Sequence, residues 1–152
     1  MSDLKEQFSP LFEYIYKGNK DAISLSLALL KIAHTWDDLI DNDKEVSNAT
    51  IDSAFLASTI DLTLNPLWDE CLAYNLLNVY IRWNCANKIE KNINSTNNEL
   101  AKAWCLRAGL YDLFSLIATR LYGLGWGLSI NEDVYNFYGE TLKDFIKEIR
   151  NA

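Results

Sequence analysis

The chain has 152 residues, 49% of them hydrophobic and 23% charged, with a formal net charge of −7 and a pI near 4.6. That length predicts one domain spanning residues 1–152 with a proper hydrophobic core, and the composition is that of a globular chain, not a disordered one. The acidic balance leaves no broad basic surface for phosphates, which excludes a double-stranded nucleic acid partner, whereas a basic protein or a metal-held nucleotide stays open.

Proline and glycine are sparse, two and six residues respectively, so helices dominate the expectation. Ser9-Pro10 reads as a helix start, with proline in the first turn, followed by "LFEYIYK" and an end at Gly18. Asn19 caps a second helix to about Asn42, and Ser47 caps a third to about Leu64. Asn65-Pro66 stops the third and opens a long fourth, "PLWDECLAYNLLNVYIRWNCANKIEKN". Its span of roughly 40 Å leaves room to protrude and pair with a second copy as a homodimer. The polar run "NINSTNN" is a loop, and a fifth helix runs from about Asn98 to Tyr122. In "GLGWGLS", Gly123, Gly125 and Gly127 are too closely spaced for a helix or a dinucleotide loop. Asn131 or Ser129 then caps a last helix, "EDVYNFYGETLKDFIKEIR". With no internal repeat and no strand-like alternation, the expected fold is all-α, a single-domain bundle of about five to six helices.

No charged, apolar leader and no apolar run of about 18 residues is present, so no membrane partner is expected and the chain reads as cytoplasmic. Cys71, Cys85 and Cys105 form an odd set without CxxC spacing. All three fall in segments that read as buried helix, which suits free thiols in a reducing cytosol. His34 is the only histidine, which excludes zinc sites and phosphohydrolases built on several histidines.

The densest chemistry lies in "KIAHTWDDLIDND", where His34 is followed by Asp37, Asp38, Asp41 and Asp43. At 100° per residue, His34, Asp37, Asp38 and Asp41 share roughly one 100° helix face, while Trp36 and Asp43 fall opposite. The same face continues backwards as Ile23, Leu27 and Leu30, and the other side carries Leu25, Leu29, Ile32, Trp36 and Leu39. A helix apolar on two sides belongs inside a bundle, so the acids are expected to face an interior or a cleft. Carboxylates there need a cation: a metal, an arginine or a bound proton. If the helix frays after Asp38, the later acids instead sit at a wet end.

Later helices supply partners. Arg107 shares an apolar stripe with Leu100, Ala103, Leu110, Phe114 and Ala118, where an arginine usually holds a carboxylate or a phosphate. Asp112 lines up with Cys105, Ala108, Ser115 and Thr119, a narrow small-residue face. Val79, Trp83, Ala86 and Glu90 share another stripe, with Trp36 and Trp83 read as structural and Glu90 as a third carboxylate or a surface residue near the helix end.

Two resemblances follow. "DDLID", with His34 three residues ahead, resembles the DDxxD motif of class I isoprenoid synthases, in which such aspartates hold magnesium against a substrate diphosphate. The sequence departs from that family in lacking a second DDxxD and in having "NDKEVSN" where Arg-Arg-Gly would follow. "AHTWDDLIDNDKEVS", "LNPLW", "RWNCANKIE" and "RAGLYDL" together are similar to a group of small proteins encoded by tailed bacteriophages. That resemblance covers about Ile32 to Leu113, implies action in an infected bacterial cell, and marks His34, Asp37, Asp38, Asp41, Trp83, Glu90, Arg107 and Asp112.

Two functional readings result. In the first, a non-catalytic helical protein binds a host or viral protein, and the His/Asp/Arg set is a buried network that fixes helix register. In the alternative, Asp37, Asp38 and Asp41, with Glu90 or Asp112, hold Mg²⁺ or Mn²⁺ and Arg107 binds phosphate; the protein then either binds a diphosphate or nucleotide without turnover, or acts on it as an enzyme with His34 or Asp38 moving a proton.

Overall fold

The structure, a computed structural model, describes the backbone at 2–41 and 45–151 and the side chains at 5–40 and 45–151. The Asp41 side chain and all of Asp43 lie outside the described residues. Every regular element among those residues is helical: α1 (Ser2–Ile15), α2 (Lys20–Asp41), α3 (Asn48–Leu56), a π-helical turn (Ala57–Asp61), α4 (Glu70–Glu90), α5 (Asn97–Arg107), α6 (Gly109–Tyr122), α7 (Leu124–Asn136) and α8 (Leu142–Asn151). The chain divides into two compact units, Met1–Asp69 and Glu70–Ala152.

In the first unit, α1 starts well before the expected Ser9-Pro10 and carries Pro10 in its interior. An interior proline costs about 3 kcal/mol through its lost N–H. The offset comes from a buried aromatic row at every fourth residue: Phe8 and Phe12 have ring centres 5.6 Å apart, and Phe12 and Tyr16 5.7 Å apart. Burying Phe8 requires helix on both sides of the proline. The row ends in a hydrogen bond between the Tyr16 and Ser26 hydroxyls, 2.7 Å and buried, which ties α1 to α2. Burial pushes the Tyr16 phenol well above its ordinary pKa, so it stays neutral and polar inside the unit.

Asn19 caps α2 by accepting from the Ala22 N–H at 3.0 Å, as its side-chain chemistry predicts. Ser47 likewise caps α3 through the Thr50 N–H at 3.2 Å. The helix expected to run to Leu64 changes pitch at Ala57, where the Leu62 N–H reaches the Ala57 carbonyl at 2.9 Å, five residues back. The hydroxyls of Ser58 and Thr59 both bond the Phe55 carbonyl at 2.8 Å, and Thr63 bonds that of Thr59 at 2.6 Å. Such back-bonding competes for helix carbonyls and loosens the α ladder. Asn65-Pro66 does end this segment, but α4 begins only at Glu70. The Asn65 side chain folds "NPLW" into a turn by accepting from the Leu67 N–H at 3.0 Å, and it anchors the turn on α2 by donating to the Asp21 carbonyl at 2.9 Å.

In the second unit, the fifth helix expected from Asn98 to Tyr122 is two helices, α5 and α6, broken at Ala108. The last predicted helix is also divided. α7 absorbs Gly125 and Gly127 into helix, against the expectation of a glycine break there, and ends at Asn136, after which α8 starts at Leu142. Gly127 is buried against α6, and a Cβ there would lie 1.8 Å from the Thr119 hydroxyl oxygen. Close helix approach thus overrides the poor helix propensity of glycine. Thr96 and Glu99 form a reciprocal capping box at the start of α5. A core of Ala86, Leu100, Ala103 and Phe145, flanked by Ile89, Leu106 and Ile149, joins α4, α5 and α8. The three cysteines are free thiols but exposed, not buried, because the inward faces of α4 and α5 are occupied by Leu72, Val79, Trp83 and Ala86 and by Leu100 and Ala103.

The α6–α7 contact is directly testable. Gly127→Ala is expected to cost about 1–3 kcal/mol in urea unfolding, and Thr119→Ala in the same chain is expected to restore part of it. Equal stability of Gly127→Ala and the parent would contradict the close approach.

Candidate functional site

The broken helix sets the geometry here. In an uninterrupted helix the carbonyls of Cys105 and Arg107 would accept from Gly109 and Tyr111, four residues on. At Ala108 (φ −70°, ψ 1°) the chain leaves helical geometry, and the Tyr111 N–H turns to the Ala108 carbonyl at 3.0 Å. Two neighbouring side chains of α4 reach the carbonyls flanking the break. Arg82 Nη2 donates to Cys105 O at 3.1 Å, and Trp83 Nε1 donates to Arg107 O at 2.8 Å. Gly109 lets the Arg82 guanidinium lie close, since a Cβ there would meet Arg82 Nε at 3.2 Å.

The same two helices pair their charges. Arg107 Nε donates to Glu90 Oε1 at 3.0 Å and Nη2 to Oε2 at 2.5 Å, a two-pronged bond with side chains only 11% and 7% exposed. Asp112 accepts from Arg82 and from the Tyr135 hydroxyl of α7, in a pair that is 34% and 43% exposed. Trp83, Glu90 and Arg107 therefore meet, and Asp112 joins a separate pair through Arg82. Arg107, expected to hold a phosphate or the aspartates of α2, holds Glu90 within its own unit.

Beside this seam a cleft of about 580 Å³ opens between α5, the end of α7 and the turn before α8. Trp104, Tyr135, Tyr138 and Glu140 are among its walls. The Tyr138 hydroxyl donates to Glu140 Oε2 at 2.9 Å. Burial raises the Glu140 carboxyl above the ordinary carboxylate range, and Glu148 and Glu90 push the same way, while the Tyr138 bond and Arg107 oppose. Burial, with Glu140 adding to it, also raises the Tyr138 phenol. Tyr111, edge-on to Tyr138 with ring centres 5.4 Å apart, is pushed up to about 12 by burial.

His34, Asp37 and Asp38 lie partly buried on α2 in the first unit, and so does Trp36. Thr35 is the last buried position among the described residues of α2; Trp36, Asp37 and Asp38 are partly buried, and Leu39 and Ile40 are more than 40% exposed. Asp37 and Asp38 thus stand just past that last buried position. No group of three or more histidine, cysteine or acidic residues placed to hold a metal ion occurs among the described residues. A second cleft, of about 480 Å³, lies nearer the start of α2, lined by Asp21, Lys31, Asp61 and Asn65 among others.

Arg82, Trp104, Tyr135, Tyr138 and Glu140 were not among the residues the sequence marked. For the last two a signal was present. Gly139 follows an aromatic pair and has φ +73°, the residue type that closes a helix, and it turns "YNFYGET" from helix into the rim of a cleft. Compared with models of protein families, with curated proteins and with solved structures, the chain matches none.

Three outcomes are expected. Arg107→Met or Glu90→Gln should lose about 3–5 kcal/mol in denaturant unfolding, because each strands a buried partner, and Glu90→Leu/Arg107→Met should recover most of it. Arg82→Met should cost less, about 1–3 kcal/mol, because its ion pair is wet and the main loss is the donor to the Cys105 carbonyl. The reverse ranking would remove the buried pair from its structural place. For Glu140 the raised carboxyl means that the ionised form opposes folding above its folded pKa, and that this opposition lifts as pH falls through it. Glu140→Gln should therefore melt slightly higher than the parent at neutral pH, with the gain vanishing in acid, and a lower melt at both pH values would refute that sign.

Proposed function

We propose that this is a small, acidic, phage-type helical protein that binds a host or viral protein without catalysing a reaction, in the cytoplasm of an infected bacterial cell. The observation that carries the reading is a face of α4. Tyr74, Leu77 and Ile81 follow one another at i, i+3 and i+7 and are 62%, 50% and 54% exposed. Scattered exposed apolar residues are ordinary, but three large ones in one helical row have the spacing by which a helix anchors a partner. The net charge of −7 favours a partner with basic character around the contact. Glu90, Arg107 and Asp112 support the same reading, since each is spent on a partner within the unit. A second copy of the chain is one partner the stripe would accept.

The second reading is a Mg²⁺- or Mn²⁺-dependent activity on a diphosphate or nucleotide through Asp37, Asp38 and Asp41. What favours it is that His34, Asp37 and Asp38 lie on consecutive turns of α2 and are all partly buried.

Tagged protein used to capture partners from infected cells separates the two. The parent should retain a protein that Tyr74→Ser/Leu77→Ser/Ile81→Ser loses, with the melting temperature little changed because exposed sites are replaced. Retention of the same protein by the triple variant would end the first reading. Thermal melts of metal-stripped protein, with Mg²⁺ or Mn²⁺ added back, test the second. A rise of several degrees that Asp38→Asn abolishes is its expected signature, and no rise in the parent removes it.

A further inference from the structure

The cleft beside the Glu90–Arg107 pair has walls of an unusual kind. Three aromatic side chains reach it from three places in the chain: Trp104 from α5, Tyr135 from the end of α7 and Tyr138 from the turn before α8. The Trp104 and Tyr138 rings stand at 58° to each other with centres 6.1 Å apart, so they form adjoining walls and not a closed stack. The indole N–H of Trp104 is buried and finds no acceptor among the described residues, whereas that of Trp83 is spent on a carbonyl. A buried orphan donor is a cost that folded proteins seldom leave in place without a use for the group that carries it.

The fourth wall is Glu140. Among the described residues its side chain has one hydrogen-bond partner, the Tyr138 hydroxyl. Arg107 is near enough to favour its ionised form, but that guanidinium is held by Glu90, and Glu90 and Glu148 both disfavour the charge. The cleft therefore offers a carboxylate short of positive charge, beside aromatic faces that carry negative quadrupole potential. An anion would meet repulsion from both. An alkylammonium ion would meet attraction from both, and would lift the burial cost of the carboxylate. The volume of about 580 Å³ is that of a small-molecule or side-chain site.

We propose that this cleft, walled by Trp104, Tyr135, Tyr138 and Glu140, binds an organic cation of the alkylammonium class, free in solution or carried on the methylated lysine side chain of a partner. The shared chemistry is a charged, poorly hydrated head group between π faces and a carboxylate. The proposal stands apart from the α4 stripe, no residue of which lines the cleft, so either can fail alone.

The test is a titration of the full chain with choline chloride, followed through the tryptophan indole N–H signals by ¹H–¹⁵N NMR. The Trp104 signal is expected to move saturably, while sodium chloride at matched ionic strength leaves it in place. The neutral isostere of choline, 3,3-dimethylbutan-1-ol, is expected to shift it far less. Glu140→Gln keeps an acceptor for Tyr138 and is expected to weaken choline binding about tenfold, the scale of a desolvated cation contact. Tyr135→Leu, at a wall 36% exposed, is a second variant expected to weaken it. A peptide bearing trimethyllysine that binds more tightly than choline assigns the head group to a partner protein, and equal affinity assigns it to a free metabolite-like cation. No saturable shift with choline up to tens of millimolar, equal binding of the neutral isostere, or full binding by Glu140→Gln would each overturn the proposal.

Discussion

The second unit depends on where the chain after α5 stops being a helix. A straight helix through Ala108 would satisfy its own carbonyls and present Arg107, Leu110, Phe114 and Ala118 along one stripe. Breaking it leaves carbonyls in need of donors, and such groups cannot stay unmet in an interior without a cost of about 1–3 kcal/mol each. Arg82 and Trp83 of α4 meet them at 3.1 and 2.8 Å. The break is therefore possible only because α4 lies alongside in one register, and that register is fixed again by Glu90 taking hold of Arg107 two turns further on.

Everything around the cleft follows from that arrangement. The bend places Trp104 and Cys105 on one side of it, and α6 carries Asp112 to where Arg82 and Tyr135 can reach. The turn after α7 then closes over the end of α5, bringing Tyr138 and Glu140 into line with Trp104. The polar groups of this unit fall into two kinds. Glu90, Arg107 and Asp112 are paired with charges of the chain itself. Among the described residues Glu140 has the Tyr138 phenol as its hydrogen-bond partner, and burial raises its proton affinity.

The first unit is organised differently. Its order comes from an aromatic row on α1, the Tyr16–Ser26 bond and the Asn65 anchor on α2, all of which secure the first part of α2. The acids stand at the other end of that helix, past the last buried position at Thr35. A cation bound there would act on a helix end and not on a core.

Local rules were enough for much of this. The scarcity of proline and glycine determined the all-α class, and Asn19 and Ser47 marked helix starts because a side-chain oxygen can meet backbone N–H groups without any distant contact. Arg107 stood out because an arginine in an apolar stripe must find a partner, whereas Trp83, Glu90 and Asp112 were marked by the resemblance to the phage proteins. Which partner each one meets is a property of packing. Periodicity continues unbroken through Ala108, so nothing local announces the break, and Arg82 is paired only because another helix bends beside it. Pro10 lies inside a helix because burying Phe8 outweighs the lost N–H, and Gly127 lies inside one because Thr119 comes too close for any side chain. Those balances are struck between residues far apart in the chain, and only the tertiary structure could decide them.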